Sequence, residues 1–313
     1  MSHVLLADIG GSTSRFAYAN SGGRPECILA FANDAVGGIE AAIARYLGAI
    51  DVRPRAAVLA VAGPVDGDDI ALTNRAWQFR LPDLAARFGL APVHAINDFE
   101  ALAWALPHLR QSDTRPLGKA GRAHGVKVVL GPGTGLGVAA LVPAGSGWQV
   151  VASEGGHASF GPSAPEEEPV FARLRTECGQ VSAEMVLSGP GLERLHRALH
   201  PGAGPMTSSE AIVARARGGE PAARATAALF VRLLGRFAGD VALTFKATGG
   251  VYVCGGVALG LGPLLDGKTF RATFEAHPPY QTLLGAIPAA VITCAEPGLV
   301  GCAAVAARLV HEA

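Results

Sequence analysis

Very little of this chain is aromatic, 6% of 313 residues, and its charge has no net sign, with 26 Lys and Arg against 26 Asp and Glu. The first shortage leaves Ala, Val and Leu to fill the core. The second, with no basic run and no interleaving of aromatic and basic residues, speaks against a nucleic-acid surface. The five cysteines, Cys27, Cys178, Cys254, Cys294 and Cys302, are odd in number, far apart and free of any C-x-x-C pair. Neither a disulfide framework nor a structural zinc site fits that spacing. No apolar run approaches the roughly 20 residues that cross a bilayer. The first run, from Val4, stops at Asp8 without a basic flank, so no secretory leader and a cytoplasmic protein are expected.

What is present is globular. Half the residues are hydrophobic, and 41 Gly with 21 Pro supply turns. The length suits two ordinary domains. Val4-Leu5-Leu6-Ala7 reads as a strand, Gly10-Gly11-Ser12-Thr13 as a turn and Arg15 to Ala19 as a second strand. The move recurs: Val126 to Leu130, a turn at Gly131-Pro132-Gly133-Thr134-Gly135, then Gly137 to Val142. Two such hairpins suggest two halves built on one plan. Around them, strands at 56–62, 93–96 and 251–254 alternate with helices at 38–47, 81–88, 99–106, 191–200 and 221–245, which means α/β. The stretch 109–125 reads as the domain boundary. Residues 162–169, with Glu166-Glu167-Glu168 inside, read as a solvated loop.

The chemistry follows from residue types and positions. A glycine turn can point several backbone N–H groups at one spot, which suits a phosphate, and Ser12 and Thr134 add hydroxyls. Asp8, at a strand end, can hold Mg²⁺ through water, since magnesium prefers carboxylate oxygens and keeps much of its hydration. Asn97-Asp98 ends another buried strand and opens a helix. Both residues are good helix caps, and an aspartate there can also take the proton of a substrate hydroxyl during phosphoryl transfer. Ser153-Glu154-Gly155-Gly156-His157 puts a carboxylate and an imidazole near one polyhydroxylated ligand. Glu184, taken alone, reads as an ordinary solvated helix glutamate.

Three other patterns carry no function. The glycine turns feed strands, not helices, which removes a dinucleotide fingerprint. Gly262 to Thr269 fits G-x-x-x-x-G-K-[ST], but no strand leads into it and Leu264 and Leu265 fill its centre, so a surface turn is expected. His196 and His200 lie four apart without the interior glutamate of a zinc helix, and are expected on its wet face.

Taken together, these segments resemble bacterial glucokinases of the hexokinase/actin-like ATPase superfamily. The matching segments are 7–12, 62–65, 72–77, 96–99, 131–137, 153–157, 184–191 and 253–257, in family order and over nearly the whole chain. The resemblance implies two actin-like (ribonuclease H-like) α/β domains with a cleft that closes over the sugar. They would comprise 1–108 plus 300–313 and 109–299, often in a homodimer. It implies phosphorylation of glucose at its 6-hydroxyl by ATP with Mg²⁺, Asp98 acting as general base. Asn97, Asp98, Glu154, His157 and Glu184 would bind the sugar. Ala7, Asp8, Ile9, Gly10, Gly11, Ser12, Gly133, Thr134 and Gly135 would hold ATP phosphates, and Gly255 and Gly256 would lie near the adenosine. Alternatives are a kinase for mannose or N-acetylglucosamine, or a non-catalytic sugar sensor of the same fold, which would need no base at Asp98. Ser12, Ser159 and Gly161 depart from the family's usual Thr, Asp and Ala, which bears on sugar selectivity more than on phosphoryl transfer.

Overall fold

The computed structural model describes residues 3–20, 23–73, 75–118, 124–202 and 208–312. Asn74, within one of the matching segments, and residues 119–123 of the expected boundary lie outside them. The chain forms two compact units, Met1–Arg110 with Cys294–Ala313, and Gln111–Thr293.

Unit one contains β1 (His3–Ile9), β2 (Thr13–Asn20), β3 (Glu26–Ala32), α1 (Ile39–Gly48) and β4 (Ala56–Val61). A small ribbon of β5 (Asp69–Ala71) and β6 (Gln78–Arg80) follows, then α2 (Leu81–Phe88), β7 (Val93–Asn97) and α3 (Asp98–Ala105). The sheet runs β3-β2-β1-β4-β7, antiparallel from β3 to β1 and parallel from β1 to β7. β1 and β4 are apolar on both faces because both faces are covered. Leu5, Ala7 and Ile9 pack with Ile39, Ile43, Tyr46 and Leu84 on one side. Val4 and Leu6 pack with Ala101, Leu299, Cys302 and Val305 on the other. That second cover is α3 and the C-terminal helix Pro297–Glu312. Burial on two faces explains why these strands read as unbroken apolar runs and not as an alternation.

Unit two contains β8 (Thr114–Pro116), β9 (Lys127–Pro132), β10 (Leu136–Ala144), β11 (Gly147–Ser153), α4 (Glu168–Cys178), α5 (Gly189–Leu199), α6 (Ser209–Arg217) and α7 (Pro221–Phe245). After these come β12 (Gly250–Val253), α8 (Gly256–Leu261), α9 (Gly267–Phe274), α10 (Gln281–Ala286) and β13 (Ala289–Ile292). Its sheet runs β11-β10-β9-β12-β13-β8. From β11 to β13 it repeats unit one: two antiparallel pairings, then two parallel ones. The repeat read in the two hairpins is therefore a repeat of the whole sheet plan.

Three expectations fail, each for a packing reason. Glu167 is buried, not solvated: it pairs with Arg236 at 2.9 Å, and its Oε2 also accepts the Ser163 N–H. His196 is buried and bonds Thr226 Oγ1 at 2.8 Å, and His200 Nε2 meets the Ala222 carbonyl at 3.0 Å. The α5 helix packs against α7 through these rings, so neither lies on a wet face. Gly262 to Thr269 is more than a surface turn. Leu265 is fully buried, Arg115 donates to the Gly262 and Leu265 carbonyls at 3.3 Å, and Asp266 caps α9 by accepting the Thr269 N–H. The P-loop likeness thus comes from a helix cap.

Candidate functional site

In unit one the turn between β1 and β2 spans Gly10 to Thr13, since Ile9 pairs with Ser14. Gly10 N–H donates to the Thr13 carbonyl at 3.1 Å, and the Ser12 side chain is exposed at the tip. Ala7 and Ile9 face away from the turn into the core at 0% exposure, so they can offer a ligand backbone groups only. Asn33, fully buried, binds the back of the turn: its Nδ2 donates to the Gly10 and Gly11 carbonyls at 2.8 and 3.1 Å. Neither Asn33 nor the role of Arg75, whose Nε donates to the Gly11 carbonyl at 2.9 Å, was found by sequence reasoning. The available signal was the polar Asn33-Asp34 directly after an apolar strand.

Asp8 lies in β1 and Asp98 directly follows β7, the two strands that flank β4. Asp8 pairs in register with Ala60, and Val61 with Asn97, which places both carboxylates at the carboxyl ends of parallel strands. Burial and the neighbouring Asp8 push the Asp98 carboxyl up to about 6, against the lowering effect of its bond from Phe99 N–H at 3.0 Å. Asp8 is likewise pushed up to about 6 by burial, opposed by Arg15 and assisted by Glu296. Arg15 stands opposite Asp8 across the hairpin and pairs with Glu296 at 2.7 Å. Both carboxylates are therefore mainly ionised at neutral pH, yet hold a proton more tightly than an ordinary aspartate. No group of three or more His, Cys, Asp or Glu able to hold a metal exists among the described residues.

Asn97 caps α3. Its Oδ1 accepts the Phe99 N–H at 2.8 Å, Glu100 Oε2 accepts its backbone N–H at 3.0 Å, and its Nδ2 donates to the Gly63 carbonyl at 3.1 Å. The capping box fixes where the strand ends, and with it the position of Asp98. The same amide also donates to the Asp98 carboxylate, which lowers that group's proton affinity.

In unit two the second turn is tied down differently. Gly133 N–H donates to the Gly135 carbonyl, and the Gly133 carbonyl accepts Gly189 N–H from the start of α5, both at 2.8 Å. A trans peptide sets C=O and N–H on opposite sides, so the Thr134 N–H faces away from α5. The Thr134 side chain is exposed. The Leu136 N–H donates to Glu184 Oε2 at 2.9 Å. Glu184 is not on a solvated helix: it sits in the turn before α5, and its backbone N–H donates to the Gly156 carbonyl at 2.8 Å.

Residues 153–157 close on the same spot. Gly155–His157 form one 3₁₀ turn, and a Cβ on Gly156 would collide with the Leu136 carbonyl, so only glycine allows this approach. The result is that His157 Nε2 lies 3.9 Å from Oε2 of both Glu154 and Glu184. Three polar side chains, all at least partly exposed, thus converge within one unit. Gly255, at φ +93°, also presses on β9, where a Cβ would collide with the Pro132 carbonyl, and Gly256 opens α8. Ser159, one of the departures, accepts from Gln180 Nε2 at 2.5 Å and bridges to Ser182.

The chain as a whole is similar to known proteins. The family model described as Glucokinase matches residues 5–309. A protein named Glucokinase from Agrobacterium fabrum is 40% identical over 96% of this chain and 90% of its own length. The Bifunctional protein glk of Burkholderia orbicola is also 40% identical, and the chain spans 48% of that relative's length. A crystal structure of glucokinase from an Antarctic psychrotroph superposes with a TM-score of 0.89 at 31% identity, covering 100% of both chains. No helix among the described residues is long and apolar enough to cross a membrane.

Proposed function

Because the chain belongs to the glucokinase family, we propose that it transfers the γ-phosphoryl group of ATP to the 6-hydroxyl of glucose. The observation that carries this reading is Asp98, a carboxylate raised to about 6 directly after β7, separated by β4 from β1, the strand that leads into the first glycine turn. An aspartate of ordinary acidity is a weak base. One whose proton affinity has been raised towards the working pH takes the hydroxyl proton more readily while still being mainly ionised.

The roles divide as follows. The N–H groups and hydroxyls of the turns at 10–13 and 133–135 bind phosphate oxygens, and Gly255-Gly256 lies along the nucleoside. Asn97, Glu154, His157 and Glu184 hold the sugar hydroxyls, a set of acceptors and donors that fixes its orientation. Asp98 accepts the proton from the 6-hydroxyl as that oxygen bonds to the γ-phosphorus and ADP leaves. Bonds from Phe99 N–H and the Asn97 side chain fix the orientation of this carboxylate. Asp8 would hold Mg²⁺ through water, and the ion would supply neutralisation of phosphate charge.

A coupled assay with Mg-ATP tests this across glucose, mannose, fructose and N-acetylglucosamine. The highest kcat/KM is expected with glucose. Turnover of none of the four, or a clear preference for another, overturns the reading.

A further inference from the structure

Asn33 meets the first glycine turn with both its side-chain amide donors and its backbone N–H. Its side-chain Nδ2 donates to the Gly10 and Gly11 carbonyls, and its backbone N–H donates to the Ser12 carbonyl at 2.9 Å. Its Oδ1 accepts the Ser14 hydroxyl at 2.7 Å, which fixes the amide so that its donors, not its acceptor, face the turn. Arg75 adds a donor to the Gly11 carbonyl and is itself held by Asp34 and by the Trp77 ring, 5.2 Å away. Three successive carbonyls are therefore drawn to one side. Since C=O and N–H of a trans peptide point in opposite directions, the N–H groups of Gly11, Ser12 and Thr13 are turned to the other side. A row of N–H groups aimed one way is an anion cradle. Left to itself, a glycine-rich turn samples many conformations, because glycine restricts its backbone least.

We infer that Asn33 and Arg75 are positioning residues for the ATP phosphates, which fix the N–H row of the first turn from behind without touching the nucleotide. The inference rests on the proposal that this turn binds phosphate. A cradle already ordered before the nucleotide arrives does not lose conformational entropy on binding, so affinity for the nucleotide falls when the support is removed. Sugar contacts on other segments are unaffected.

The test is calorimetric titration of Asn33→Ala and Arg75→Ala with Mg-AMP-PNP and, separately, with glucose, with Arg87→Ala as a control. Arg87 pairs with Glu40 at the surface of the same unit, and its loss reports general charge effects. Each test variant is expected to weaken Mg-AMP-PNP binding about tenfold, the loss that one or two hydrogen bonds support. Glucose binding should stay within about twofold and the control should match wild type. Arg75 is partly exposed on a loop, so its variant folds and decides the matter even if Asn33→Ala does not. Unchanged nucleotide affinity in folded Arg75→Ala overturns the inference, and so does equal weakening of glucose and nucleotide, which marks a merely structural role. Absence of nucleotide binding by the wild type overturns the proposed function and this inference with it.

Discussion

The Leu136 backbone N–H donates to Glu184 Oε2 at 2.9 Å, so one carboxylate both faces the proposed sugar site and ties down the second glycine turn. A Cβ on Gly135 would lie 2.6 Å from the same oxygen, so this close approach of Glu184 requires glycine there. Glu184→Ala should therefore raise KM for glucose and KM for ATP together, the latter about five- to tenfold. A residue bound only to sugar would move the first alone. Steady-state kinetics with each substrate varied in turn distinguishes the two.

Asp98→Asn should lower kcat about 10²–10⁴-fold while leaving glucose affinity nearly intact. It should also stabilise the fold. The Asp98 carboxyl goes from an ordinary 3.8 to about 6, so the folded state holds its proton more tightly than the unfolded one. The ionised carboxylate therefore costs stability above pH about 6, by about 3 kcal/mol, and costs nothing below about 4, where both states are protonated. The Tm gain of Asp98→Asn is thus expected at pH 8 and should shrink as pH falls towards 5. A variant less stable than wild type at pH 8 would contradict this charge balance.

The same proton sets the pH–rate profile. With sugar binding saturated, kcat should fall below pH about 6 as Asp98 takes up its proton, and level off above 7. Asp8→Asn removes a like charge, so its residual activity should show this acid limb displaced to lower pH. A limb that does not move would separate the two carboxylates electrically.

The P-loop likeness at 262–269 gives a prediction of its own. Lys268 is exposed in the first turn of α9, so Lys268→Ala should leave kcat and KM for ATP within about twofold. Asp266→Ala, by contrast, removes a helix cap and should cost about 1 kcal/mol of stability. Loss of ATP affinity in the lysine variant would restore the motif.

Much of the fold could be read from local pattern, because the relevant forces are local. Apolar runs ended by a polar residue or a glycine marked β1, β4, β7 and β9, and Pro221 at the first turn marked the start of α7. What could not be read depends on partners distant in sequence. Glu167 looked solvated within an acidic run, and only Arg236, 69 residues away, makes its burial tolerable. His196 found Thr226 in the same way. In the site, Asp98 stood out because a carboxylate ends a buried strand. Asn33 did not, because its function lies in three hydrogen bonds to a turn more than 20 residues earlier, which no spacing rule announces.

The most direct measurement is phosphorus-31 NMR of glucose and Mg-ATP with wild type and with Asp98→Asn. The account predicts one ADP per sugar phosphate ester, an ester phosphorus coupled to the two protons on carbon 6, and formation slowed at least about a hundredfold in the variant. ADP without ester, an ester at another carbon, or equal rates in the two proteins would contradict it.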